Sequence, residues 1–289
     1  MATKKKTETT EATDEQKAVA KVENTGTDLM VADDNSQLFA EMEGDKDLRE
    51  QFAPAQLTIP RISVLQDLSP QVKTRDAEYV KGAEPGMIFN TVQRWLAREF
   101  LFVPSKFVVR YIAWQPRPIG GLVDQNLTLE ECEANFRKDG IARWVGQMRR
   151  RPDDDELVRV EVIETPEWVG MVKPTVSADG EVIEDADWLP AAISFPSTKA
   201  KVVRDMNTLI DMTKVAGKDG RKFTPPPFYH LFKFDTAIES SGENEYFNFR
   251  AEHQGWLKDA EARGEAKELK LAFDRGEVEV DMTDTGAAA

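Results

Sequence analysis

Between Arg94 and Arg117 the chain reads RWLAREFLFVPSKFVVRYIAWQPR. It sets five cations, Arg94, Arg98, Lys106, Arg110 and Arg117, against one acid, Glu99. Six rings are threaded among them: Trp95, Phe100, Phe102, Phe107, Tyr111 and Trp114. The chemistry such a pattern offers is non-covalent. Cations attract phosphates, and flat rings give unpaired bases a stacking surface. A second basic stretch, Lys199 to Lys222, carries Lys199, Lys201, Arg204, Lys214, Lys218, Arg221 and Lys222 against Asp205, Asp211 and Asp219, so seven minus three gives +4. It leads into an aromatic segment with Phe228, Tyr229, Phe232, Phe234, Tyr246, Phe247 and Phe249. The competing reading of either stretch is an amphipathic β-hairpin with core rings and solvated cations. Alternate rings of a strand face opposite sides, so about half at most can be stacking platforms. Tyr111, Trp114, Tyr229 and Tyr246 suit a wet groove best, because their polar edges tolerate water. On a strand regular past Pro104, Lys106, Arg110 and Trp114 share one face and Tyr111 takes the other. The candidate nucleic-acid contacts are Arg94, Lys106, Arg110, Tyr111, Trp114 and Arg117, the seven cations of 199–222, Tyr229 and Tyr246.

Catalytic sets are not visible. The chain has two histidines, His230 and His253, in different expected elements, and His230 reads as a structural residue among Tyr229, Leu231 and Phe232. No nucleophile elbow, GxGxxG or zinc-ligand pair is present, and GKDGRK (Gly217–Lys222) lacks the Walker spacing. Asp153-Asp154-Asp155-Glu156 reads as a solvated loop, since consecutive acids splay from the backbone and do not converge on one ion. The expectation is a non-enzyme without cofactor or metal.

The bulk numbers agree with a soluble globular protein: 289 residues, 40% apolar, 31% charged and a formal charge of −14. No apolar run approaches the roughly 20 residues of a membrane span, and the start lacks the apolar core of a signal peptide. Cys132 is the only cysteine, which removes a disulfide framework. A reducing, cytoplasmic setting is expected. The acidic balance argues against coating duplex DNA through bulk charge but leaves room for a local groove.

The elements that must position these residues follow. Residues 1–52 read as a disordered acidic tail and 275–289 as a second one, with 253–274 as a C-terminal helix. Between them, 53–252 form one binding domain. LTIPRISVLQ is extended with Pro60 at an edge, GAEPG turns, Met87–Trp95 and Phe100–Trp114 are β-rich, and Pro104 marks a break or bulge. Thr128 and Glu131 make a capping box. LVRVEVIE alternates as a strand, Trp168–Val172 continues it, and Ala191–Pro196 is a short buried strand. STKAKVVRDMNTLIDMTKVAG is the best helix, with Val202, Met206, Leu209, Ile210 and Thr213 on one face and Gly217 as its stop. A hairpin follows across Ser240-Ser241-Gly242. The fold class is β-rich α+β, an OB-like five-stranded barrel with an insertion at about 121–190 and one well-formed helix before the last hairpin.

PRISVLQDLSPQV, YVKGAEPGMIFNTV, the Trp114–Gly121 segment, FPSTKAKVVRDMNTLIDM and TPPPFYHLFKF together resemble a phage-encoded family of single-stranded DNA-binding proteins of OB fold. The likeness runs over roughly Leu57 to Glu252 and assigns no individual residue. It implies single-stranded DNA as partner, a role in phage replication or recombination, and replication or recombination proteins recruited through the acidic C-terminal tail. This chain ends Gly-Ala-Ala-Ala, without the terminal aromatic of the best-known examples. A homo-oligomer is compatible with it. The alternatives are a structural or scaffold protein of the virion, and a recombination annealase or nuclease accessory.

Overall fold

The two long runs of alternating residues become the two longest strands, and they pair with each other. β4 (Leu96–Trp114, 19 residues) and β8 (Leu157–Ser177, 21 residues) run antiparallel, from Ala97 opposite Ser177 to Trp114 opposite Glu161. The structure, a computed structural model, describes residues 58–116, 119–138, 145–149, 157–242 and 244–280. Arg117, the tail 1–52, the Asp153–Glu156 run and residues 281–289 lie outside the described residues.

Around the β4–β8 pair the hydrogen-bonded path forms a circuit. β3 (Ile88–Asn90) joins β4, β2 (Arg61–Val64) joins β3, β9 (Leu189–Ser194) joins β2 in parallel, and β8 joins β9. The same edge of β4 that holds β3 also takes β12 (His230–Ser241), at Phe100 to Phe102, and β12 pairs with β13 (Asn244–Trp256). At its far end β4 carries β5 (Leu122–Leu127). β7 (Val145–Arg149) lies on β8 and β6 (Phe136–Lys138) on β7.

This corrects two expectations. Residues 121–190 are not an insertion, because they supply β8, the central partner of β4, and β9 of the circuit. The circuit meets its strands in chain order, whereas an OB barrel is a Greek key. The well-formed helix also follows the fifth strand of the circuit instead of lying between the third and fourth. What holds is the coarser statement, a strand-rich chain with helices built on one large sheet of ten strands.

That helix, preceded by a 3-10 turn at Ser197–Lys199, runs Ala200–Met212. Its buried positions are Val203, Met206 and Ile210, at helical spacing, while Val202 and Leu209 flank them. They close over the main core, where Phe100 stacks on Phe234 at 5.1 Å and Phe249 meets Phe234 edge-on at 5.7 Å. Met212, not Gly217, ends it: Thr213 is already extended, and Val215–Ala216 (β10) pairs with Lys222–Phe223 (β11). Two β-branched residues so close together favour the strand over another helical turn. We call the capped helix Leu129–Asn135 α1, this one α2 and Ala260–Asp274 α3.

α3 ends where expected but starts later than 253, since β13 runs on to Trp256 and Asp259 caps the first turn. It buries Ala262 and Ala266 against Val103, Met171, Phe228 and Leu257. Of the expected second tail, residues 275–280 turn back, and β14 (Glu279–Val280) pairs in parallel with β1 (Thr58–Ile59). Pro104 does mark a bulge, with the β4–β8 register shifting between Pro104 and Lys106.

Opposite that bulge, a Cβ on Gly170 would stand 2.2 Å from the Val103 carbonyl oxygen and 2.6 Å from the Phe102 ring. Gly264 of α3 has open space at the same point. Gly170→Ala therefore costs about 3 kcal/mol or more by overpacking, and Gly264→Ala gains up to about 1 kcal/mol by helix propensity. Urea midpoints read both, and they move in opposite directions.

Candidate nucleic-acid interface

The described cations of the first basic stretch are spent on the fold. Arg94 sits in the turn after β3 with φ +58, its guanidinium on the Glu78 carbonyl at 3.0 Å and over the Phe89 ring. Within Met87–Trp95 only Ile88–Asn90 is strand, and the chain turns from Thr91 to Gln93. Arg98 bonds the Ala178 carbonyl at 2.7 Å and faces Glu84 at 3.4 Å. Lys106 reaches Asp274 at the end of α3, whose carboxyl is held at about 2 by Lys106 and then Lys270. Tyr111 is buried in a second core with Ala113, Cys132, Met148 and Val160, so it is no stacking platform. Trp114 is half-buried opposite Leu122 and Glu161.

Arg110 meets Glu167 at 3.1 Å, and Arg61 meets the other oxygen of the same carboxylate at 2.8 Å. Ser194 donates to it at 2.9 Å and accepts from Arg61. Glu167 is wholly buried. A charge so placed survives only with partners and hydrogen bonds around it. For this stretch, the reading with core rings and committed cations is the one the contacts give.

The second stretch is different. On α2, Lys201 is exposed in an i,i+4 pair with Asp205, and Arg204 bonds its own helix, at the Ala200 carbonyl. The β10–β11 hairpin holds out Lys218, Arg221 and Lys222, all exposed, with Arg221 only 3.7 Å from Asp219. Lys214 ties the base of this hairpin, donating to the Asp211 carbonyl at 2.8 Å and to Thr224. Phe223, at 50% exposure, is a ring the sequence reading did not single out. Lys199 stands apart: half-buried over the Phe249 ring at 5.4 Å, its amine is drawn down to about 8 by desolvation. The preceding Ser197 holds φ +50, the left-handed region that ordinary residues avoid.

Tyr229 is 41% exposed with Arg263 over its ring at 5.6 Å, and the Tyr246 hydroxyl donates to Glu239 at 3.2 Å. The two basic stretches meet through a ring rather than a row of cations. Phe107 of β4 joins Trp168 of β8 at 5.1 Å, and both line a groove with Asn207, Ile210, Asp211, Thr224, Pro225 and Pro227. Four segments build this groove, and no local pattern in any one of them announces it.

A family model described as Pam3 phage gp34-like protein matches residues 29–279. The chain belongs to the Pam3 phage gp34-like family. The phage origin implied by the sequence resemblance is thereby shown. No curated protein and no solved structure matches the chain.

In this gp34-like chain the two histidines, expected in separate elements, touch. His230 Nδ1 lies 3.1 Å from His253 Nε2 across the β12–β13 hairpin, where a register shift between Leu231 and Phe232 brings them together. His230 is fully buried beside Phe232 and Trp256, and burial, then His253, lowers it to about 4. Burial also lowers His253, against a backbone hydrogen bond at Gly255 that raises it. Among the described residues no group of three or more His, Cys, Asp or Glu is placed to hold a metal, and no helix is long and apolar enough to cross a membrane.

Two outcomes follow from these contacts. Glu167→Gln removes the charge between Arg61 and Arg110 and lowers stability by about 3 kcal/mol, read by urea unfolding at neutral pH. The folded state keeps His230 neutral down to about 4, while the unfolded chain takes up protons below about 6.5, so its contribution is whole above that pH and fades toward about 4, and the lowered His253 acts in the same direction. Melting temperature compared at pH 7.5 and pH 5.5 (about two pH units across this window) drops more for the parent chain than for His230→Phe.

Proposed function

We propose that this gp34-like protein binds single-stranded DNA with little sequence preference, during phage DNA replication or recombination. The observation that carries the reading is the exposed basic surface of α2 and the β10–β11 hairpin, set beside a ring-lined groove. Lys201, Arg204, Lys214, Lys218, Arg221 and Lys222 are exposed in a chain of net charge −14. The strand's phosphates follow these cations, and unpaired bases meet Phe223, Phe107 and the groove. Lys106 and Arg110 are left out of the contact surface, because Asp274 and Glu167 already engage them. Neutralising phosphates releases counterions, so affinity falls steeply with salt.

The role asked of the protein is binding and protection, not chemistry. Fluorescence anisotropy with a labelled oligo-dT at two salt concentrations tests it. Binding is expected at low salt and weaker binding at high salt. Replacing Lys218, Arg221 and Lys222 together by Ala lowers the salt slope by about 2, at roughly 0.7 per phosphate contact on a single strand. Lys106→Ala leaves the slope as it is. No binding at low salt, or tighter binding to duplex than to single strand, overturns the proposal.

A further inference from the structure

We infer that the groove between α2 and the β4–β8 pair is a subsite for one unpaired guanine base. This rests on the single-stranded DNA reading and narrows it, adding one position with a base preference. The floor of the groove is aromatic. Trp168 is 4% exposed, so the half-buried Phe107 beside it is the ring a ligand reaches. Ile210, Pro225 and Pro227 add apolar walls. A flat, partly apolar guest fits such a slot, and bases stack on rings of this kind.

Three polar side chains line the same groove: the Thr224 hydroxyl is engaged with Lys214 and the Asp211 carbonyl, and the other two are one helical turn apart. Asn207 and Asp211 stand at i and i+4 on α2, on one face of the helix. The Trp168 indole N–H, which can only donate, gives its hydrogen bond to Asn207 Oδ1 at 2.9 Å. The amide is thereby oriented, and its NH2 remains as a donor. Asp211 is exposed, and the hydrogen bonds it accepts, from Lys214 and Thr224, go to its main-chain carbonyl. Among the described residues its carboxylate has no ion pair or hydrogen bond. The groove therefore offers a two-oxygen acceptor and an amide donor.

A carboxylate on a basic surface works against phosphate, so its place here is best matched by donors on a base. Guanine presents two, N1–H and the 2-amino group, beside one acceptor, O6. These are the complements of Asp211 and of the Asn207 amide. Adenine sets a ring acceptor beside its amino group, thymine flanks a single N–H with two carbonyls, and cytosine offers one donor beside two acceptors. None of them meets the carboxylate with two adjacent donors. Lys214, one turn of chain beyond Asp211, and Lys222 supply cations for the phosphates on either side.

The experiment compares three labelled strands of equal length by anisotropy: all-thymine, the same with one central guanine, and the same with hypoxanthine there, which lacks the 2-amino group. The guanine strand is expected to bind about tenfold tighter than the all-thymine strand, with hypoxanthine between them. Asp211→Asn brings the ratio of the guanine and thymine affinities to about one. Equal binding of guanine and thymine strands, or an Asp211→Asn protein that keeps the preference, overturns the subsite and leaves the single-stranded DNA reading standing. Failure of all three strands to bind overturns that reading and the subsite together.

Discussion

Glu167 is the point on which the sheet depends. Its carboxylate, wholly buried, takes Arg110 from β4, Arg61 from β2 and Ser194 from β9, while Glu167 itself is on β8. Four of the five strands of the hydrogen-bonded circuit thus converge on one side chain. Desolvating a carboxylate and two guanidiniums is costly, and an apolar cluster of the same volume would serve stability as well. The arrangement has another use. β2 is four residues long and pairs with β9 over only two residue pairs, Arg61 with Ala192 and Ile62 with Ile193. So short a parallel contact is weakly specified by backbone bonding alone. An ion network that is satisfied in one register only fixes which residues meet.

The same logic accounts for the rest of the first basic stretch. β4 needs partners along its whole length, and its cations find them: Glu167 for Arg110, Asp274 for Lys106, the Ala178 carbonyl for Arg98. Lys106 joins the α3 end to the sheet, and the chain beyond α3 then returns to pair with β1. Apart from Lys214, which ties the hairpin's base, the exposed cations of α2 and the hairpin have no such obligation. Their acids are their own close neighbours, Asp205 and Asp219, in exposed pairs worth little. A chain can therefore carry two basic stretches of similar composition, one consumed by folding and one left for solvent.

Local rules read the local features well. Thr128 and Glu131 exchange the two bonds of a capping box, Pro104 marks the β4 bulge, and α3 ends at Asp274. The hairpin across Ser240–Gly242 pairs Ser241 with Asn244. What the sequence could not yield is pairing at a distance. Leu157–Glu164 and Trp168–Val172 read as strands, yet nothing in them says that they form one strand along all of β4. Without that pairing, 121–190 looks like an insertion and the order resembles an OB barrel. Lys106 and Asp274 are 168 residues apart, and Trp168 and Asn207 39. The histidine contact depends on a register shift that no period-2 pattern contains. The Tyr111 hydroxyl suits a wet face, but strand parity places the residue with Ala113 in the second core.

Position, more than quantity of charge, decides what the acidic total permits. At physiological ionic strength the field of an exposed charge fades over about 8 Å, so acids on distant faces do not cancel a basic hairpin. What matters then is whether that hairpin is held still. Lys214 bonds both Asp211 and Thr224, which fastens the start of the hairpin to its end. Pro225, Pro226 and Pro227 follow at once, with fixed φ and little freedom to lose. Gly217 and Arg221 share a backbone bond at 2.8 Å within the turn. The cations are thus carried on a segment whose ordering cost falls on folding and not on association. A preordered surface of that kind binds more tightly than the same charges on a loose loop. It also keeps Asn207, Asp211 and the Phe107 ring in a constant relation to the phosphates that Lys214 and Lys222 would hold.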